Sequence, residues 1–205
     1  MIALPRPVAD LCAALGAQAG VEVGSWGRIM NGGAWLTLDG LKVDVMLRDL
    51  GVASYWTGQA RQGRYEVDAL LRYVAGVPTC SLSAELALNQ AVVGALPAVG
   101  PYPDALAEAG DRRWRMHADF SLTHARMRAE RGDVAGAVGQ AAKAVIETAP
   151  ALACRRRRWV LNEKALIERM GLEGLHGWFT RVPASPAPLL EWVSGLRSAL
   201  AAAAW

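Results

Sequence analysis

The alternation of apolar and polar residues is strongest in residues 31–50, where two strand-like runs flank Asp39-Gly40. An Asp-Gly pair in this setting predicts a two-residue β-hairpin, because a type I′ turn needs positive φ at both central residues. The turn also fixes the register of the two strands. In that register Trp35 faces Asp44 across the hairpin.

The period of two along each strand divides the predicted hairpin into two faces. The apolar face is expected to enter the core and consists of Leu36, Leu38, Leu41, Val43, Val45 and Leu47. The polar face carries Asn31, Trp35, Thr37, Lys42, Asp44 and Arg48. Aspartate is a poor strand former, so a mid-strand Asp44 indicates a role other than folding. A solvated sheet face, with Lys42 as the counter-charge of Asp44, is an equally supported interpretation.

Local signals predict short elements on both sides of the hairpin. They are a helix over 6–19, a short strand at 21–23, a loop over 24–33, a helix over 52–61 closed by Gly63, an ambiguous segment over 64–80, and a helix capped by Ser83 that runs to residue 96.

From about residue 102 the periodicity becomes helical. The predicted elements are helices over 102–131, 134–152 and 159–170, a short aromatic segment at 178–179, a Pro-rich connector over 183–188 and a final helix over 189–204. The predicted fold class is therefore α+β. A small mixed or antiparallel sheet with helices occupies residues 1–100, and a helical bundle follows in residues 101–205.

Charge and cysteine content narrow the classes of function. The chain has 205 residues, with 22 Lys and Arg against 19 Asp and Glu, and a net charge of +3 gives no general case for nucleic-acid binding. Cys12, Cys80 and Cys154 lack the spacing of metal ligands and favour a reducing compartment, with the cytoplasm as the expected location. The N-terminus does not resemble a signal peptide, and we expect no membrane insertion.

Two basic features are candidates for anion binding. Four consecutive arginines at 155–158 would spread over about 300° of a helix, so a loop or a helix start is predicted, where their guanidinium groups could converge on phosphates. A solvated basic loop is the alternative interpretation. In the predicted helix over 159–170, Glu163 falls within the apolar stripe, Lys164 lies on its edge, and Asn162 is a candidate cap.

Four segments resemble the nucleotidyltransferase superfamily of the DNA polymerase β type, especially members similar to aminoglycoside nucleotidyltransferases. These segments are WGRIMNGGAWLTLDGLKVDVMLRDL, AELALNQ, RRWRMHADFSLTHAR and WVLNEKALIERMGL. The resemblance covers most of the chain. It implies a small catalytic sheet followed by a helical bundle, with three carboxylates holding two Mg²⁺ ions. Asp44, flanked by Val43 and Val45, matches the third carboxylate.

The resemblance also implies a nucleotide site. Lys164 matches the element that contacts the triphosphate, and Arg48 is a further candidate. The implied wall beside the nucleotide is formed by Asn31, Gly32 and Gly33. Trp35 is either a stacking surface or part of the sheet packing. The implied ligands are an NTP, foremost ATP, with Mg²⁺ and an acceptor hydroxyl of unknown identity.

The chain departs from the family pattern at the first two carboxylates. No Asp-x-Asp follows Gly24-Ser25, which predicts a chain that begins after the first catalytic strand or a degenerate relative. Two functions stay open. The chain transfers a nucleoside monophosphate to a hydroxyl of a small molecule, protein or RNA end, or it is a non-catalytic remnant that binds a nucleotide or a protein. A sheet without its first strand also predicts self-association.

Overall fold

The computed structural model describes residues 7–17, 19–21, 28–29, 31–70 and 73–204. The described strands are β1 (Ala19–Val21), β2 (Gly33–Leu38), β3 (Leu41–Met46), β4 (Val67–Asp68) and β5 (Val77–Pro78). The described helices are α1 (Pro7–Leu15), α2 (Leu50–Arg61), α3 (Ser81–Leu88), α4 (Asp104–Glu130), α5 (Val134–Arg155), α6 (Leu166–Arg169), a 3₁₀ helix (Glu173–Thr180) and α7 (Pro186–Ala204). The fold class is α+β, as predicted. Residues 22–27, which include most of the predicted strand at 21–23 and the Gly24-Ser25 pair, lie outside the described residues.

The hairpin formed by β2 and β3 has the predicted turn and register. Asp39 has a φ of 49° and Gly40 a φ of 82°, so both central residues occupy the left-handed region that a type I′ turn requires. Trp35 is the Cα partner of Asp44. Strand β1 pairs antiparallel with the other edge of β2, giving the order β1-β2-β3.

Among the described residues, the apolar face of the sheet is buried where α1 lies beside β1 and β2. Ala34 and Leu36 are 2% and 3% exposed. Leu38 and Leu41, both predicted for the core, are 44% and 70% exposed, so that part of the prediction is wrong. These two leucines flank the turn, and the end of the hairpin projects into solvent.

Helix α2 starts two residues before the predicted position. The carboxylate of Asp49 accepts hydrogen bonds from the amides of Gly51 and Val52 at 2.7 and 3.1 Å and caps the helix. Gly63, with a φ of 72°, follows its end as predicted. The ambiguous segment over 64–80 contains the two-stranded ribbon of β4 and β5.

The prediction for the next helix is wrong in both its cap and its length. Helix α3 ends at Leu88, and residues 89–103 contain neither helix nor strand. Ser83 lies inside α3, where its hydroxyl and that of Thr57 form a buried hydrogen bond of 3.2 Å. The side chain therefore joins α3 to α2 instead of capping a helix.

The two long bundle helices were predicted within a few residues of their ends. Gly132 has a φ of 71° in the turn between α4 and α5, and Asp133 caps α5 by accepting a hydrogen bond from Gly136 at 2.9 Å. Fully buried alanines lie along both helices: Ala125, Ala129, Ala137, Ala141 and Ala144. These small side chains allow α4 and α5 to pack closely, and α7 packs against both. Helix α7 begins at Pro186, inside the predicted connector.

The predicted helix over 159–170 is mostly absent, since only Leu166–Arg169 is helical in this segment. The side chain of Asn162 accepts a hydrogen bond from the amide of Lys164 at 2.9 Å and closes a turn. Ala165 then has a φ of 52°, which no α-helix contains. Residues 159–165 therefore form an ordered loop that leads into α6.

A shared apolar cluster joins the first half of the chain to the bundle. Its buried members are Ala60, Tyr65, Leu106, Trp114, Ala151 and Cys154. They come from α2, the β4–β5 ribbon region, α4 and α5. This cluster holds the hairpin half beside the loop over 159–165.

None of the helices in the described part of the chain is both long and apolar enough to cross a membrane.

Candidate functional site

A cleft lies between the polar face of the hairpin and the loop that precedes α6. It contains about 760 Å³ of empty space, counted out to its open mouth. Its charged lining residues are Asp44, Arg48, Glu85 and Lys164. The apolar and aromatic part of the wall consists of Trp35, Met46, Tyr73, Val77 and Leu161. Three of the residues implied by the resemblance, Asp44, Arg48 and Lys164, therefore lie in one cleft.

Asp44 reaches this cleft because of the strand period. Val43 and Val45 lie on the same face as the buried β2 residues, so the intervening Asp44 points the other way. Its side chain is exposed and forms no hydrogen bond or ion pair with any residue in the described ranges. The carboxylate is available for a cation or a hydrogen-bond donor.

Lys164 is positioned by the two residues before it. The carboxylate of Glu163 accepts hydrogen bonds from the amides of Val74 and Ala75 at 2.8 and 3.0 Å, which fixes the loop on the β4–β5 ribbon. Asn162 then turns the chain by accepting a hydrogen bond from the Lys164 amide. The Glu163 carboxylate is therefore paired with backbone amides, although the helix on which its position in the apolar stripe was predicted does not form. The ammonium of Lys164 is left exposed on the cleft wall.

Arg48 lines the cleft, but its guanidinium is already engaged. Nε and Nη2 of Arg48 donate to the two carboxylate oxygens of Glu85, each at 2.6 Å. Nη1 donates to the Leu47 carbonyl at 3.1 Å. This bidentate pair ties the end of β3 to α3. We therefore interpret Arg48 mainly as a residue that holds the cleft wall in place.

Asn31, Gly32 and Gly33 are not among the described residues that line the cleft. The Asn31 side chain accepts a hydrogen bond from the Asp49 amide at 3.0 Å, and the Gly32 carbonyl accepts one from the Leu47 amide at 2.9 Å. A Cβ on Gly33 would lie 2.3 Å from the Val45 carbonyl oxygen. Contacts with β3, the residue after it and the start of α2 account for all three residues without a ligand.

Reasoning from the sequence missed Glu85, Tyr73 and Leu161 as cleft residues. Glu85 lies in AELALNQ, one of the segments that carry the resemblance, but no local pattern links it to Arg48. The two residues are 37 positions apart and meet only through the packing of α3 beside the sheet. Long-range pairs of this kind leave no periodic signal in the sequence.

The described carboxylates do not fit a two-metal centre. Among the described residues, no group of three or more His, Cys, Asp or Glu side chains is arranged to hold a metal ion. Glu85 lines the cleft, but both of its oxygens accept from Arg48. Asp44 by itself fits a single Mg²⁺ that arrives with a triphosphate, because Mg²⁺ is commonly held by one or two carboxylates together with phosphate oxygens and water.

The four arginines at 155–158 do not converge, which favours the solvated basic loop of the two interpretations. The run begins at Arg155, the last residue of α5, and three of its side chains have separate partners. Arg155 contacts Asp111 at 3.2 Å, Arg156 donates to the Met170 carbonyl at 3.2 Å, and Arg157 donates to Asp104 at 2.9 Å. The positive φ of Arg157, 51°, turns the chain away from the helix axis and spreads the side chains further.

No family model matches the chain, and no curated protein or solved structure matches it significantly. The residues of the cleft therefore carry the functional proposal.

Proposed function

We propose that the chain is a nucleotidyltransferase-like protein whose cleft binds a nucleoside triphosphate together with Mg²⁺, with ATP as the first nucleotide to test. The observation that carries this proposal is that the carboxylate of Asp44, which has no hydrogen-bond or ion-pair partner among the described residues, and the exposed ammonium of Lys164 line the same cleft. These residues are far apart in the sequence and belong to different halves of the chain.

The two charges suit the two ends of a metal-bound triphosphate. A triphosphate carries about four negative charges, and a single Mg²⁺ neutralises only part of them. We assign the cation to the Asp44 side of the cleft and the remaining phosphate charge to Lys164. Tyr73 and Trp35 offer aromatic surface for the base.

For this chain alone we propose nucleotide binding rather than transfer. Transfer of a nucleoside monophosphate to a hydroxyl group needs metal ions that activate the hydroxyl and stabilise the developing charge. Of the two carboxylates on the described cleft walls, Glu85 is held by Arg48, which leaves Asp44. This pairing favours the non-catalytic alternative. A cytoplasmic location would supply both the NTP and the reducing conditions that suit the free Cys80 and Cys154.

Calorimetric titration with Mg-ATP tests the binding proposal. We expect Asp44→Asn and Lys164→Ala each to weaken binding about tenfold, because each removes a charge-assisted contact. Two matched controls lie outside the cleft walls: Asp39→Asn, in the hairpin turn, and Lys42→Ala, on the same face of the sheet as Asp44. Equal affinities in all four variants, or no binding by the wild type, would rule the proposal out.

A transfer assay tests the distinction between binding and catalysis. With a labelled NTP and Mg²⁺, we expect the purified chain to label no acceptor above background. Labelling that is lost in Asp44→Asn would show that the chain does catalyse transfer, and it would keep Asp44 in the site.

A further inference from the structure

A pocket in the helical bundle lies between α4 and α7, and its inner end reaches α5. It offers about 240 Å³ of space. One wall is a single face of α4, formed at helical spacing by Arg115, Ala118, Asp119 and Leu122. The facing wall is a single face of α7, formed by Arg197, Leu200 and Ala201. None of these residues lines the nucleotide cleft.

Small side chains leave this space open. Ala118 and Ala201 contribute one methyl group each to the facing walls. Leu122 and Leu200 are 5% and 2% exposed and form the inner, apolar surface. Thr148 closes the α5 side, and its hydroxyl already donates to a carbonyl of its own helix at 2.8 Å. Because a cavity of about 150 Å³ takes up a molecule as large as benzene, this pocket has room for a branched aliphatic side chain and a small polar head.

Charges of both signs lie at the mouth of the pocket. The side chains of Arg115, Asp119 and Arg197 are 39%, 67% and 42% exposed, so their charged ends reach solvent. Arg197 donates to the Asp119 carboxylate through Nη1 and to the Thr123 hydroxyl at 3.3 Å through Nη2. Arg115 contacts Asp111 at 3.5 Å. The mouth of the pocket is therefore charged, whereas its inner wall is apolar.

The ion pairs at the mouth leave capacity for a ligand, because a carboxylate has several acceptor positions and a guanidinium has several N–H donors. The Asp119 carboxylate can accept from an ammonium group as well as from Arg197. The Arg115 guanidinium can donate to a carboxylate of a ligand as well as to Asp111. Partly exposed ion pairs contribute little to stability, so sharing them with a ligand costs little free energy.

We propose that this pocket binds a free α-amino acid with an apolar side chain of about the size of leucine. The ammonium group lies on Asp119, the carboxylate lies on Arg115, and the side chain packs against Leu122 and Leu200. Arg115 and Asp119 are four residues apart on α4 and are therefore neighbours on its surface. Neighbouring opposite charges match an ammonium and a carboxylate that share one carbon atom. The site is separate from the nucleotide cleft and does not depend on the function proposed above.

Three probes that differ only in their charged groups test the assignment by calorimetry on the full chain. L-leucine carries both charges, 4-methylpentanoate lacks the ammonium group, and isopentylamine lacks the carboxylate. We expect leucine to bind the wild type, and we expect each of the other two probes to bind at least about tenfold more weakly, because each loses one charge-assisted contact.

Two variants connect each charge of leucine to its partner. Asp119→Asn should weaken leucine binding about tenfold and leave the binding of 4-methylpentanoate unchanged, since that probe has no ammonium group. Arg115→Gln should weaken leucine binding by a similar factor and leave the binding of isopentylamine unchanged. Arg112→Gln removes another exposed arginine of α4, outside the pocket walls, and should change nothing.

A variant that fills the pocket tests the location of the site. Ala201→Leu places a larger side chain in the pocket and should abolish leucine binding, whereas Ala202→Leu, at the exposed next position outside the walls, should not. Circular dichroism confirms that both variants are folded. The proposal is overturned if leucine does not bind the wild type at about 5 mM, if either analogue binds as tightly as leucine, if either charge variant binds leucine like the wild type, or if Ala201→Leu and Ala202→Leu bind it equally.

Discussion

Gly40 and Gly58 differ in whether their positions can accept a side chain. Gly40 has a φ of 82° in the hairpin turn, whereas Gly58 lies inside α2, and a Cβ there would meet no atom within 4 Å. We expect Gly40→Val to lower the free energy of unfolding by about 1–2 kcal/mol, because a β-branched residue is strained at positive φ. Gly58→Ala should raise it by up to about 1 kcal/mol, because alanine is the better helix former. Urea denaturation of both variants measures the two changes in the free energy of unfolding. A Gly40→Val variant that is more stable than wild type would contradict the turn assignment.

Glu147 makes stability depend on pH. It is 2% exposed, and burial raises the pKa of its carboxyl above the ordinary value of 4.5, even though Ser121 donates a hydrogen bond to it and Lys143 lies nearby. A raised pKa means that the folded state binds the proton more tightly than the unfolded state. The contribution of this group is therefore most favourable below pH 4.5 and is lost as the pH rises through the raised value.

The variant Glu147→Gln isolates this effect, since the amide can still accept the hydrogen bond from Ser121. We expect its stability relative to wild type to increase as the pH is raised from 4 to 7, measured by thermal unfolding. The variant Glu191→Gln, which removes an exposed carboxylate, serves as the matched control. A constant difference between Glu147→Gln and wild type across this range would show that burial does not shift this group.

At the scale of single elements, the predictions were correct for features that neighbouring residues in the sequence determine. The Asp39-Gly40 turn fixed the strand register, and the Gly132-Asp133 turn separated α4 from α5, because each turn contains the residues that its own geometry requires. The segment over 159–165 was predicted as helix and is a loop. Its conformation depends on hydrogen bonds from Glu163 to the distant Val74 and Ala75, and helical periodicity carries no information about such partners.

Strand β3 forms an edge of the described sheet, and its outer side bears on the oligomeric state. Leu41 and Met46 on this strand are 70% and 39% exposed, and among the described strands only β2 pairs with it. An unprotected edge with exposed apolar residues favours pairing with a second chain. We expect sedimentation of the purified chain to show a mass that rises with concentration, and Leu41→Lys to reduce that rise. A stable monomer at every concentration would count against self-association.

At the scale of the whole molecule, the candidate site depends on how the two halves meet. Asp44 was predictable because a charge in the middle of an apolar strand is locally anomalous. Lys164 was placed in the cleft by resemblance, although the helix assumed for it does not form. Asn31, by contrast, has a structural role, because its side chain accepts a hydrogen bond from the Asp49 amide. Such a backbone role could not be separated from a ligand-binding role before the packing was known.

A structure of the complex tests the central claim, that the cleft is a nucleotide site, most directly. Crystals would be soaked with Mn²⁺, as an anomalous substitute for Mg²⁺, and a non-hydrolysable ATP analogue. The account predicts one anomalous peak at about 2.1 Å from a carboxylate oxygen of Asp44, with the triphosphate extending toward Lys164. A nucleotide bound elsewhere, or a metal ion with no contact to Asp44, would contradict it.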